Sequence, residues 1–313
     1  MTKHKILISD TLSQKGLDFL RQHADVSDRA GITPEELIQE IPAYHALIVR
    51  GRTKVTQAVF DAGANLKAIG RAGVGVDNID LEAARAAGVT VVNSPTATTV
   101  AVAEHAIALM LALVRRIPRA DATMKAGQWE KKKLQGTELG GKTLGIIGMG
   151  RIGTKVAHIA EAFGMDTLGC DPHISDADIQ SRGAIPQCLE DILTQADIIT
   201  IHVPLLPETR GLIGADAIAQ MKPGVVLVST ARGGIIDESA LLTGLESGHV
   251  AGAALDVFEH EPPGQTDLIA HPHLIATPHI AAQTAEAQER AACYIAEEII
   301  NTLENAPLRW KIV

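Results

Sequence analysis

The sequence predicts an α/β protein built from two doubly wound parallel sheets, and three observations carry that prediction. Short apolar runs alternate with helical patterns along the whole chain, the signature of βαβ units with helices on both faces of a parallel sheet. At 313 residues, the chain has room for about two domains. The alternation also restarts at Gly141, where a second strand pattern runs into a glycine-rich turn and then a helix.

In the first series, strands are expected at KILIS (5–9), HALIV (45–49), LKAIG (66–70) and VTVVN (89–93), each a short apolar run bounded by turn or helix signals. Between them, TPEELIQEI reads as a helix: Thr33 suits the cap, Pro34 the first helical position, and Glu36 completes a capping box. DLEAARAAG is a second helix, stopped by Gly88. A long helix is expected from about Thr98 to Arg116, stopped by Pro118. Its apolar residues fall on nearly all sides, which predicts burial between domains or subunits. The second series places strands at TLGIIG (143–148), DTLGC (166–170), IITI (198–201), VVLVS (225–229), AGAALDV (251–257) and LIAT (274–277). The last helix, about 282 to 304, is expected to have no strand after it.

Composition narrows the function classes. Hydrophobic residues make up 46% of the chain, enough for a sizeable core and not a disordered composition. The net charge of −9 argues against a nucleic-acid partner, which needs a basic footprint. Cys170, Cys188 and Cys293 lie far apart with no CxxC pair, so neither a disulfide framework nor a metal site is expected, and the pattern suits a reducing cytosol. The N-terminus has no apolar run of signal-peptide length. The longest apolar stretch, Ala106 to Val114, is too short for a bilayer, which takes about 20 residues. It reads as a buried helix, and no membrane association is expected.

TLGIIGMGRIGTKVA contains Gly148-x-Gly150-x-x-Gly153, which follows an apolar strand and opens a helix. In that context the first glycine makes a tight turn, the second lets a pyrophosphate approach the backbone, and the third lets helix and strand pack closely. The helix start then offers N–H groups and positive dipole to phosphates. Asp171 ends the next strand, 18 residues beyond Gly153. A carboxylate there accepts bonds from ribose hydroxyls and repels a 2′-phosphate, favouring NAD over NADP.

Ligands of open α/β sheets bind outside the carboxyl ends of the strands. The polar residues expected there are Arg232, Asp256, Glu261 and His279, a set suited to hydride transfer coupled to proton transfer. Each has an ordinary reading beside it: Arg232 as a helix-flanking surface charge, Glu261 as a solvated loop acid. For His279 the competitors are His105, His202, His260, His271 and His273. His105 reads as a satisfied core residue of the apolar helix, and His271 and His273 precede their strand and sit at its wrong end. Gly233 and Gly234 are expected to let the backbone turn close to cofactor and substrate, where a Cβ would intrude.

GIIGMGRIG, IHVPLLPETRGLIG, STARGGIIDE, AALDVFEHEPP and IATPHIAAQT resemble, in order and spacing, the D-2-hydroxyacid dehydrogenases. VRGRTKV, IGRAGVGVDNIDLEAA, VVNSPTATTVAVAEHAIALML and MKAGQWEKKKLQGTELGGKTLGIIG are most similar to the branch that oxidises D-3-phosphoglycerate. The resemblance covers nearly the whole chain. It implies a Rossmann nucleotide-binding domain (98–284) inserted in a discontinuous, flavodoxin-like substrate domain (1–97 and 285–313), with a cleft that closes on substrate. It further implies that Arg232 binds the substrate carboxylate and polarises the C2 oxygen, that His279 is the acid/base, and that Glu261 stabilises the protonated imidazole. NAD would be held by Gly148, Gly150, Arg151, Ile152, Gly153, Asp171, His202, Val203, Pro204, Thr209, Thr230, Ala231, Asp256 and His279. Asp256 is similar to the family's aspartate near the nicotinamide amide. The substrate would meet Arg50, Arg71, Val74, Gly75, Arg232 and His279.

The helix after Pro95 resembles the family's dimerisation element, implying a homodimer or homotetramer. A serine-binding C-terminal region is not expected. A 3-phosphate needs cations away from the reacting carbon, and Arg50, Arg52, Lys54 and Arg71 fall at or just after strand ends, with Lys131 to Lys133 as further candidates. Lysine runs also serve simple solubility. The rival substrates are glyoxylate, hydroxypyruvate or D-lactate, and the rival class is an NAD-sensing corepressor.

Overall fold

The computed structural model describes residues 3–313. The chain forms two compact units, one running to Thr99 and resuming at Ala282–Val313, the other Val100–Ala281.

The first unit is a parallel sheet of β1 (Lys5–Ile8), β2 (Asp25–Asp28), β3 (Ala46–Val49), β4 (Ala68–Arg71) and β5 (Thr90–Asn93). Its order, β2-β1-β3-β4-β5, is the flavodoxin-like winding. The capping box is complete, with Thr33 accepting from the Glu36 amide while Glu36 accepts from the Thr33 amide. Gly88 ends its helix in the left-handed region at φ 67°. The last helix, Ala285–Leu303, covers one face of this sheet. Ala287, Ala291, Ile295 and Ile299 recur every four residues and are all buried, a single apolar stripe laid on the strands.

One feature of this unit departs from the sequence reading. DVSD (25–28) is a strand, although its side chains are half-buried or exposed; it lies at the sheet edge, where one neighbour suffices. After the last helix the chain turns back along β5, with Lys311 bridging Val92 antiparallel and Ile312 donating to the Val91 carbonyl. Among the described residues no strand follows that helix, as expected, and the return makes only this single bridge. This return is pinned by Glu298, fully buried, which accepts from the Arg309 amide and its Nε and from the Trp310 amide.

The second unit is a parallel sheet of β6 (Thr143–Ile147), β7 (Asp166–Cys170), β8 (Ile185–Pro186), β9 (Ile198–Ile201), β10 (Val225–Ser229), β11 (Val250–Leu255) and β12 (Leu274–Ala276). The order, β12-β11-β10-β9-β6-β7-β8, reverses direction between β6 and β9, as in the Rossmann fold. β8 has two residues, too short to stand out in a sequence pattern. The helix Thr99–Val114 is buried at Ala101–Ala103, Ala106, Ile107, Leu109 and Met110 and half-buried from Leu111 onward. Pro118 does more than stop it: it sits in the first turn of a new helix, Ile117–Lys125, where its missing N–H costs nothing.

Strand register decides what the second sheet presents. Ile147 pairs with Cys170 and Ile201, Ile201 with Ser229, Ser229 with Leu255, and Leu255 with Ala276. The residues that follow, Gly148, Asp171, His202, Thr230, Asp256 and Thr277, therefore line up along one carboxyl edge.

Candidate active site

At the switch point, Gly148 turns the chain at φ 95°, and Gly150 caps the helix Arg151–Ala162 without any side-chain cap. The first-turn N–H groups are left for a ligand. A Cβ on Gly153 would collide with the Gly148 carbonyl, whereas one on Gly150 would meet nothing within 4 Å. The third glycine thus serves packing, and the second borders open space at the helix start. Asp171 accepts from the Met149 amide at 3.0 Å and the His173 amide at 3.1 Å. Arg182 donates to the Met149 carbonyl at 2.6 Å, so the peptide inside the glycine turn is held at both ends.

Further along the edge, His202 Nδ1, Ser229 Oγ and Thr230 Oγ1 are buried without a protein partner. Burial pushes the His202 imidazole down to about 4, so the ring stays neutral near pH 7 and is a weak base there. Val203 and Pro204 begin a loop that Thr209 staples, its hydroxyl donating to the Pro204 carbonyl at 2.7 Å. Ala231 is buried and Arg151 exposed, while Ile152 packs against the core. A cradle next to Gly150, a free helix start and unsatisfied polar atoms along the edge fit a bound dinucleotide.

An imidazole–carboxylate pair lies beyond the ends of β11 and β12. His279 Nδ1 is 2.8 Å from Glu261 Oε2. The other oxygen of Glu261 accepts from the Phe258 amide at 3.1 Å, which fixes the carboxylate before the imidazole meets it. Both side chains are part-exposed, 47% and 38%, so a ligand can reach them. His271 and His273 precede β12, away from this edge.

Asp256 is buried completely. Its oxygens accept from Thr277 Oγ1 at 2.6 Å, the Ile280 amide at 2.9 Å and the Ala281 amide at 2.8 Å. Burial alone would raise its carboxyl pKa, but the His105, Thr277 and backbone hydrogen bonds outweigh it and hold the value below the ordinary range. The structure thus turns Asp256 toward the His279 bend. His105, read from sequence as a core residue, has its ring 3.2 Å from Thr277 Oγ1.

Arg232 follows β10 and is half-buried, with Nη1 donating to the Ala231 carbonyl at 2.7 Å. At Gly233 a Cβ would overlap the Phe258 carbonyl, a packing reason for the glycine that the sequence reading did not include. The absence of that Cβ lets the Arg232 turn lie against the loop that carries Glu261. Glu238 ties the same loop down, accepting from the Glu259 amide at 2.7 Å.

In the first unit, sequence reasoning missed the central residue. Asp10, just past β1, accepts from the Arg50 amide at 2.6 Å, from the Thr53 amide and hydroxyl at 3.2 and 2.8 Å, and from Arg52 Nε at 3.2 Å. The guanidinium of Arg52 also donates to the Ile32 and Ser9 carbonyls, so that cation holds the loop. Arg50 reaches the Thr11 carbonyl and Gln283, and burial lowers its pKa against the opposing pull of Asp10. Arg71 ends β4 and folds against Gly73. Val74 is exposed, Gly75 is half-buried, and Asn93 donates to the Val74 carbonyl at 2.6 Å. Lys54 is exposed. Lys131–Lys133 form an exposed 3-10 turn in the second unit, with Lys133 paired to Glu130 at 2.7 Å.

A dinucleotide cradle and an imidazole–carboxylate pair on one sheet edge define the class: an α/β protein with a Rossmann-type NAD-binding domain. Residues 107–281 match the model of the D-isomer specific 2-hydroxyacid dehydrogenase NAD-binding domain, and the chain belongs to that family. It is 47% identical over 307 residues to a D-3-phosphoglycerate dehydrogenase of Archaeoglobus fulgidus, covering 97% of this chain and 58% of that protein. The Bacillus subtilis protein of the same name is 45% identical over 97% of this chain and 58% of its own length. The chain thus spans little more than half the length of these curated relatives. Among solved structures, the TT0316 protein of Thermus thermophilus superposes with a TM-score of 0.90 at 35% identity, covering 99% of this chain and all of that one. A glyoxylate reductase from Paecilomyes thermophila gives 0.91 at 30% identity, covering 100% and 99%.

Proposed function

We propose that the chain oxidises D-3-phosphoglycerate to 3-phosphohydroxypyruvate, a step toward serine. The His279–Glu261 pair at 2.8 Å is the observation that carries the chemistry, and the 45–47% identity to D-3-phosphoglycerate dehydrogenases supports the substrate. Bound NAD supplies the hydride acceptor. Arg232 holds the substrate carboxylate through its planar donors and polarises the C2 oxygen. His279 takes the C2 hydroxyl proton, and Glu261 stabilises the imidazolium that forms. Asp171 selects the ribose hydroxyls of NAD. Asp256 is assigned to orient His279, with any contact to the nicotinamide amide secondary to that. Val74 and Gly75 offer backbone to the carboxylate, and Arg50 and Arg71 are the cations for the 3-phosphate.

The protein acts as a homodimer or homotetramer in the cytosol on this reading. Ile117, Met124 and Trp129 are 52%, 55% and 78% exposed, large apolar side chains that a subunit contact would cover. The three thiols are unpaired, and among the described residues no helix is long and apolar enough to cross a membrane.

The test is a set of initial rates with NAD(H) and NADP(H) on D-3-phosphoglycerate, D-glycerate, D-lactate, glyoxylate and hydroxypyruvate. A clear preference for the phosphorylated acid supports the proposal. Equal rates on glycerate and phosphoglycerate reject it. Fast glyoxylate reduction moves the chain toward the reductase reading that the Paecilomyes structure favours. NADH binding without turnover of any 2-keto acid points instead to a corepressor-like role.

A further inference from the structure

A hydrogen-bonded chain in the second unit ends on the bend that carries His279. Thr277 Oγ1 donates to Asp256 Oδ1 at 2.6 Å. That bond uses the hydroxyl's only proton, so at the 3.2 Å contact with His105 Nε2 the hydroxyl accepts and the imidazole donates. The order of donation is therefore His105 to Thr277 to Asp256, and His105 Nε2 also lies 3.5 Å from Asp256 Oδ1. Asp256 in turn receives the amides of Ile280 and Ala281 on its carboxylate and that of His279 on its carbonyl. Those three consecutive amides form the backbone of the bend.

The bend needs such support. His279 sits at φ 52°, in the left-handed region that non-glycine residues seldom occupy, and such conformations persist only where the surroundings over-determine them. The Asp256 side chain is 1% exposed, so protein donors and not water set its orientation. His105 is delivered by the helix Thr99–Val114, whose Ala103 and Ala106 share a core with Ala254 of β11, two residues before Asp256.

We propose that His105 is a positioning residue for proton transfer at His279, acting through Thr277 and Asp256. This rests on His279 being the acid/base of the reaction. His105 then sets kcat without touching substrate, because a small displacement of the reacting ring has a large effect on rate.

The experiment uses the full chain and the 2-hydroxy acid it turns over fastest, and measures kcat, KM, NADH affinity by fluorescence and Tm. His105→Leu is expected to lower kcat by about tenfold or more, with KM and NADH affinity little changed. His105→Gln, whose amide offers a donor at similar reach, should recover most of the loss. Thr277→Val should match His105→Leu, and the double variant should fall no further, because one chain is cut twice. Thr277→Val and His105→Gln keep the test usable if the leucine variant does not fold. Losses that multiply in the double variant, a glutamine no better than leucine, or effects confined to KM or Tm would overturn the proposal. Full turnover by His279→Gln would instead remove the reading beneath it, whatever the His105 variants do.

Discussion

Glu261 holds the His279 imidazole through Oε2 at 2.8 Å while its own Oε1 accepts the Phe258 amide at 3.1 Å. The carboxylate is thus anchored to the main chain before it meets the ring. Nδ1 is committed to Glu261, and Nε2 is the nitrogen that a substrate hydroxyl can approach.

That arrangement predicts a separation of binding from chemistry. His279→Gln should bind NADH nearly as well as the parent and lose at least about 100-fold in kcat, within the usual span of general acid–base catalysis. Glu261→Gln should lose less on its own. The double variant should be close to His279→Gln, since the two residues act as a unit. Steady-state rates and fluorescence titration check this, and an unchanged kcat for His279→Gln would assign the proton to another group.

Cofactor choice gives a second prediction. Asp171 carries two backbone amides already, and the ribose hydroxyls of NAD would add charge-assisted bonds of about 1.5–3 kcal/mol. Asp171→Ser should raise the Kd of NAD by roughly 10–100-fold on that scale and narrow the preference over NADP. Parallel titrations with both cofactors read it; a variant that still prefers NAD as strongly would show that discrimination lies elsewhere.

What was legible in the sequence follows from how local each signal is. The glycine turn, its strand and Asp171 lie within one βαβ unit, so spacing alone located them. Arg232 and His279 were candidates because they follow strands, and the sheet then set those strands, β10 and β12, on either side of β11. Asp10 and His105 gave no such signal. The partners of Asp10 lie 40 residues or more away, and Thr277 is 172 residues from His105, so only the folded sheet brings them together. β2 and β8 were missed for another reason: edge strands bury little, and their sequences need no apolar run.

Burial of His202 sets a pH dependence. Its imidazole is lowered from 6.5 to about 4, so between those values the unfolded chain binds a proton that the folded chain refuses. Stability from this group is therefore complete above pH 6.5 and declines as pH falls toward 4. A shift of that size corresponds to about 3 kcal/mol at the acid end. Urea unfolding of the parent and His202→Gln at pH 7 and pH 4.5 should show a smaller acid-induced loss in the variant. Equal losses would mean that His202 titrates normally.

Phosphate recognition is the last prediction, and it separates substrate from fold. Arg71 ends β4, Arg50 follows β3, and the paired register of these strands sets Val49 beside Arg71. The two cations therefore stand at one carboxyl edge, while the neighbouring Arg52 is consumed by Asp10 and two carbonyls. An arginine–phosphate contact is charge-assisted and worth about 1.5–3 kcal/mol. Arg71→Ala should lower kcat/KM on D-3-phosphoglycerate by roughly 10–100-fold on that basis, and leave D-glycerate nearly untouched. Arg71→Lys keeps the charge but loses the planar fork, so it should fall between the two. If both substrates drop together, Arg71 supports the glycine turn at Gly73 and not the phosphate.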